Sequence, residues 1–340
     1  MTKSRNALAA IAMVILAACA GRGLETAPVE PPLDAPGSQL GPGLRLIPGA
    51  LLPGRGPDGN TVVFDAPEGL IVVDTGRHPF MTDQIIAYAQ ARNQPVAAVV
   101  NTHWHLDHTS GNARIKAAYP GARVYATNAI ERALTGFLAS DYRQGQAVMA
   151  DEASWQALPP VRREEIELFM STIDNAGALR PDVVVGASGP LRIAGRTLDV
   201  HVTDHAVTDA DIWIFDTRTN TAVVGDLVTL PAPFLDTACP DRWSAALAEV
   251  WATPFDLAVP GHGAPMRRAE FAAYRTAYDN LIACVGREDA PSACAAGWIN
   301  DASQFLPEEG DRTSAQRRVE YYVGMLRENG GRSADCQVTP

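Results

Sequence analysis

The sequence predicts an α/β protein. Three observations carry this: short β-branched runs recur along the chain, helix-length amphipathic segments separate them, and four polar side chains of metal-binding type directly follow one of the runs. Of 340 residues, 46% are hydrophobic and 20% charged, enough apolar material for a sizeable core. Residues 44–47, 61–64 and 70–73 read as strands bounded by Gly and Pro. Residues 80–92 read as a helix, 96–100 as a buried strand, 112–119 as a helix, 122–126 as a strand and 127–139 as a helix. Residues 140–179 change character: they are helix-prone, with apolar Trp155, Leu158, Ile166, Leu168, Phe169 and Met170, and Pro159-Pro160 as punctuation. Strands resume at 183–185, 191–193, 198–203, 212–215 and 222–224. Helices at 241–252 and 267–284 flank a strand at 257–259, and 297–328 is mostly helical.

The N-terminus reads as an address. Lys3 and Arg5 precede an apolar run that ends in Leu16-Ala17-Ala18-Cys19. The run is too short to span a bilayer and has the form of a secretory signal. Its ending resembles the bacterial lipobox, which implies cleavage after residue 18, lipidation of Cys19 and a membrane anchor without a transmembrane helix. Residues 19–43, rich in Pro and Gly, read as a tether, with an arm packed on the domain as the alternative. The expected division is a signal at 1–18, the lipidated Cys and tether at 19–43, the main domain at 44–290, and a helical extension at 291–340 packed on that domain. The expected location is the cell envelope, facing the periplasm.

The net charge of −11, without any Lys/Arg cluster, argues against a nucleic-acid partner and leaves a small molecule as the expected one. Four cysteines remain beyond Cys19, an even count that suits disulfides in an exported chain. Cys284 with Cys294 would close a short loop, and Cys239 with Cys336 would pin the C-terminal tail. No Cys-x-x-Cys pair favours a zinc site instead.

Histidine is rare, seven in all, yet His103, His105 and His108 fall within six positions with Asp107 among them. Imidazole and carboxylate are zinc ligands, and such spacings need a loop that folds the side chains inward. The order His-x-His-x-Asp-His after a strand resembles the signature of the metallo-β-lactamase superfamily. Further motifs follow: Asp74 in Val72-Val73-Asp74-Thr75-Gly76, His205 after strand 198–203, Asp226 in Val224-Gly225-Asp226, and His262 in Pro260-Gly261-His262-Gly263. The resemblance spans about residues 44–265 and implies a four-layer αββα sandwich with two zinc ions at one edge. It implies that His103, His105 and His205 hold the first ion, Asp107, His108 and His262 the second, and that Asp226 bridges them. Asp74 would stand behind the ligands and orient them. Asp107 and Asp226 are also the candidate catalytic carboxylates.

The third motif departs from the family pattern, in which Thr or Ser directly follows the His: the run is Thr203-Asp204-His205-Ala206-Val207-Thr208. His205, at the exit of the strand, is preferred over His201, which reads as packed on the sheet. His78 reads as a surface residue near the site mouth, and Tyr142 as a possible oxyanion donor. Segment 140–179 would form an apolar lid through Trp155, Phe169 and Met170, or else a helical packing layer or dimer surface.

Such a site would hydrolyse its substrate with a metal-bridging hydroxide. Asp at position 226 resembles the glyoxalase II, lactonase, phosphodiesterase and sulfatase branches. The leading expectation is a small-molecule ester, lactone or related substrate in the periplasm. The alternatives are a β-lactamase and a non-catalytic metal-binding protein of the same fold. Di-iron relatives usually carry Glu in place of one cluster His and have a flavin domain, and neither is seen here.

Overall fold

Two β-sheets face each other in the computed structural model, which describes residues 37–336. The first contains β1 (Ser38–Gly41), β2 (Leu44–Ile47), β3 (Thr61–Ala66), β4 (Gly69–Val73), β5 (Val96–Val100), β6 (Arg123–Ala126) and β7 (Val183–Val184), in that spatial order. The second contains β8 (Gly189–Ile193), β9 (Arg196–Asp204), β10 (Ala210–Asp216), β11 (Thr221–Thr229), β12 (Leu257–His262) and β13 (Met266–Arg267), again in order. Parallel neighbours need helical crossovers. The β4–β5 pair is joined by α1 (Pro79–Ala91), and β5–β6 by α2 (Leu106–Thr109) and α3 (Asn112–Ala118). Between β6 and β7 lie α4 (Ile130–Thr135), α5 (Phe137–Ala150), α6 (Glu152–Ala157) and α7 (Pro160–Asp174). The β11–β12 crossover is α8 (Pro240–Ala252), and α9 (Arg268–Val285), α10 (Pro291–Asp301) and α11 (Glu309–Glu328) follow β13.

Alternation along the strands sorts the side chains into layers. Val62 and Phe64 of β3 point between the sheets and meet Val200, Ile212, Ile214 and Val223. Val63, one residue away, points outward and packs with Val72, Val99, Phe80, Ile85 and Ile115 under α1 and α3. On the far side, Trp213, Phe215 and Val224 are covered by Trp243, Tyr278, Trp298 and Val319 from α8–α11. Burying a side chain such as Phe64 fully contributes ~1.5–3 kcal/mol. The result is the four-layer αββα sandwich.

Residues 38–41, expected within the tether, instead form β1 and pair antiparallel with β2. Without β1, β2 would expose its backbone groups along the sheet edge, and pairing satisfies them. Helix α10 starts at Pro291, earlier than the expected 297, with Pro in the first turn where its missing N–H costs nothing. Both disulfides take the expected pairing, Cys284–Cys294 and Cys239–Cys336, with Cα separations of 5.7 and 5.2 Å. Helices α10 and α11 share the outer core of the second sheet through Trp298, Val319 and Tyr322. The signal at 1–18, Cys19 and the rest of the tether through residue 36 lie outside the described residues. Among the described residues, no helix is long and apolar enough to cross a membrane.

Candidate metal centre

The C-terminal ends of parallel strands are where α/β folds place their sites, and two such pairs, β4–β5 and β11–β12, converge on one edge. Beyond β5 the chain presents His103 and His105, then one short helix, α2, carries Asp107 and His108. His262 ends β12. Asp226 lies inside β11 rather than beyond it as the run 222–224 suggested. The reason is Gly225, at φ 51, where the register with β12 is irregular and the strand continues to Thr229.

The six side chains form two groups. Ligand atoms of His103, His105 and Asp226 lie within 4.8 Å of one another, and so do those of Asp107, His108 and His262. Asp226 reaches both: its Oδ2 is 3.8 Å from His103 Nε2, and its Oδ1 is 3.1 Å from His108 Nε2 and 3.5 Å from His262 Nε2. His262 Nε2 also lies 3.2 Å from His108 Nε2 and 3.0 Å from Asp107 Oδ2. Zinc bonds of ~2.0–2.1 Å in a tetrahedron put ligand atoms roughly 3.3 Å apart, so this spacing fits a shared ion. His103 Nε2 is buried with no hydrogen-bond partner, an expensive state unless an ion meets its lone pair.

Each histidine of the 103–108 run is fixed by its other ring nitrogen, as metal-binding histidines are. Thr102 Oγ1 donates to Asp74 Oδ2 at 2.7 Å, so it accepts from His103 Nδ1–H at 2.9 Å and leaves Nε2 free. His108 Nδ1–H donates to the same Asp74 oxygen at 2.8 Å. Thr237 Oγ1 donates to the Val207 carbonyl at 2.8 Å and accepts from His105 Nε2–H at 3.0 Å, which frees Nδ1. Asp74 also accepts the Thr102 N–H at 2.8 Å. It adopts φ 60, a conformation Asp tolerates better than most residues. Two glycines permit the close packing: a Cβ at Gly59 would sit 2.4 Å from the His108 ring, and one at Gly261 would sit 1.9 Å from Asp226 Oδ1.

Electrostatics suits cation binding. Burial, reinforced by His108 and His105, holds His103 well below the usual histidine range. Burial also holds His105 at about 4, against the pull of Asp107 and Asp226. Although burial opposes it, the carboxylates of Asp226, Asp107 and Asp74 push His108 well above its ordinary value. Burial likewise opposes ionisation of Asp107 and Asp226, but His108 and His262 hold both below the usual carboxylate range.

Other expected residues fall elsewhere. His205 belongs to neither group: at φ 57 its N–H bonds to Asp209 O at 3.0 Å and its ring lies 3.7 Å from the Asp209 carboxylate. His201 stacks on Trp213 at 3.7 Å, packed on the sheet as read. Tyr142 bonds to Asp174 at 2.6 Å and is not part of the cavity wall. His78 is not a surface residue. It is 3% exposed and bridges Asp58 Oδ2 at 2.7 Å and Glu165 Oε1 at 2.8 Å. Burial pulls its pKa down, but the two carboxylates raise it to about 9. No sequence signal marked Thr237 or Glu165, whereas Thr102 is legible only as the neighbour of His103.

The cluster forms part of the wall of a cavity of about 740 Å³. Of segment 140–179, Phe169 lines it, while Met170 and Trp155 pack in the small core beneath α4–α7.

A two-sheet sandwich with a buried His/Asp cluster at the ends of its parallel strands defines a metallohydrolase class. The metallo-beta-lactamase superfamily model matches residues 54–262, and the chain belongs to that superfamily. It is 26% identical over 234 residues to the linear primary-alkylsulfatase of Pseudomonas sp. (strain ATCC 19151), covering 61% of this chain. It spans only 42% of that relative's length. A metallo-beta-lactamase from Pontibacter korlensis shares the fold with a TM-score of 0.51 and 19% identity, over 72% of this chain and 98% of its own. A beta-lactamase domain protein from Burkholderia ambifaria does so with a TM-score of 0.53 and 18% identity, over 86% and 88%.

Proposed function

We propose that this superfamily hydrolase is a binuclear zinc enzyme that cleaves an ester-type bond in a small molecule bearing a large apolar group. The observation that carries this reading is the placement of both ligand groups in the wall of one apolar cavity. Phe137, Leu138 and Phe169 come from the segment between β6 and β7, Phe234 from the loop after β11, and Phe305 and Leu306 from the C-terminal part. Cavities of this size hold small-molecule ligands, and apolar walls favour an alkyl or aryl portion. The likeness to an alkylsulfatase makes alkyl sulfates the first esters to try, beside carboxylic esters and lactones.

Zinc ions bound here would supply a hydroxide near neutral pH and polarise the scissile group. The chain's own part is preorganisation. Asp226 joins both groups, Asp74 fixes His108 directly and His103 through Thr102, and Thr237 fixes His105. The apolar wall excludes water from the bound substrate and strengthens the polar contacts at the edge.

We also propose that the protein is exported and held by lipidated Cys19 on a membrane facing the periplasm, with no nucleic-acid partner. The test is metal analysis of the domain from residue 37 alongside hydrolysis of alkyl sulfates, carboxylic esters, lactones and β-lactams, with and without chelator. Two zinc ions per chain and chelator-sensitive turnover of an apolar ester support the reading. Turnover of β-lactams alone would replace the substrate, and turnover indifferent to metal would overturn the mechanism.

A further inference from the structure

We infer that the two metal positions are unequal: the Asp107–His108–His262 position would bind its ion tightly and fill first, while the His103–His105 position would bind more weakly. This rests on the reading of the cluster as a metal centre. With Asp226 shared, the first-named position has four protein donors, two of them carboxylates, and the other has three, with one carboxylate. A carboxylate adds both a bond and a negative charge toward a dication, so the difference favours the Asp107 side.

Among the described residues, no further His, Cys, Asp or Glu is grouped with His103 and His105 to make up the shortfall. The chain has seven histidines. Four stand in the two groups, His103, His105, His108 and His262. His78 is bonded on both ring nitrogens, to Asp58 and Glu165. His201 is stacked on Trp213, and His205 sits beside Asp209 outside both groups. The four described cysteines are consumed in disulfides. The backbone that approaches His105 on this side is that of Val207, reached through the Thr237 hydroxyl. Val207 is buried and apolar and offers no ligand atom from its side chain. An ion held here would have one protein donor fewer than its neighbour, and His105, which would be one of its ligands, lines the cavity.

The experiment is stepwise titration of the metal-free protein with Zn²⁺ against a chelating dye, and with Co²⁺ followed by its visible absorption. The first equivalent should bind at least about tenfold more tightly than the second, the scale on which one ligand or its support alters metal affinity. His205→Asn, which tolerates the positive φ, should leave both steps unchanged. Thr237→Val should weaken the second step alone by about tenfold, through the loss of support for His105. Circular dichroism checks that each variant is folded. Two equal steps, or the loss of one equivalent in His205→Asn, would overturn the inequality and leave the metal centre standing. Absence of any binding would remove the metal centre itself, and the inequality with it.

Discussion

The metal edge and the apolar wall line one cavity and are held by different forces. At the edge, the ring N–H groups of His103, His105 and His108 each have a partner, and the partners are themselves fixed. The wall is a packing surface: Phe169 belongs to the small core beneath α4–α7, and Tyr322 to the core of the C-terminal helices. The edge comes from the ends of the central strands, the wall from segments added around them. Changes at the edge should therefore act on metal and rate, and changes in the wall on substrate affinity. The Asp58–His78–Glu165 bridge joins the two, since Glu165 belongs to α7 and Asp58 neighbours Gly59, whose N–H bonds to Asp107 O at 2.9 Å.

The sharpest break in this contrast is Asp226→Asn. It removes the carboxylate common to both groups and should lower kcat/KM by about a thousandfold, with bound metal reduced on elemental analysis. Near-normal turnover would refute a shared role.

Next in size is His78→Asn, which tests the bridge. A folded pKa of about 9 against 6.5 corresponds to about 3 kcal/mol of stability. Because the folded value is raised, that contribution is complete below about pH 6.5 and disappears as pH rises through about 9. Urea unfolding should show a gap between parent and variant that narrows across this window; a gap independent of pH would count against the charged bridge.

Asp74→Ala leaves every ligand in place and should weaken metal binding by about 10–100-fold. Dye competition measures this, and unchanged affinity would mean that the imidazoles hold their orientation without it. The smallest effect belongs to the wall: Phe169→Ala should raise KM for a long-chain ester by about tenfold with kcat nearly unchanged. A fall in kcat at constant KM would place Phe169 with the edge instead.

Much of the edge was legible because its ligands are strung at short spacing behind a strand or stand at the ends of others. His205 misled because position along the chain does not report where a side chain points. One left-handed residue sends the ring to Asp209, and the chain reaches His105 through Val207. Thr237 was hidden by distance, 132 residues from the histidine it orients, and Glu165 lies 87 from His78. The strand β1 was masked by its Pro/Gly-rich surroundings, although pairing at a sheet edge overrides composition. The wall left no pattern because apolar residues on helices look alike whether they line a cavity or fill a core.

The Cys239–Cys336 disulfide sits two residues beyond Thr237, and Phe234 of the same loop packs its ring 4.9 Å from that of His105. The segment that steadies a metal ligand is thus tied by a covalent bond to a residue 97 positions later. Assembly acquires an order: the loop gains its final tether only after the late part of the chain has been made and its thiols have been oxidised. A reducing compartment would yield the same ligands on a loop released at one end, so the oxidant acts as a late participant in building the site.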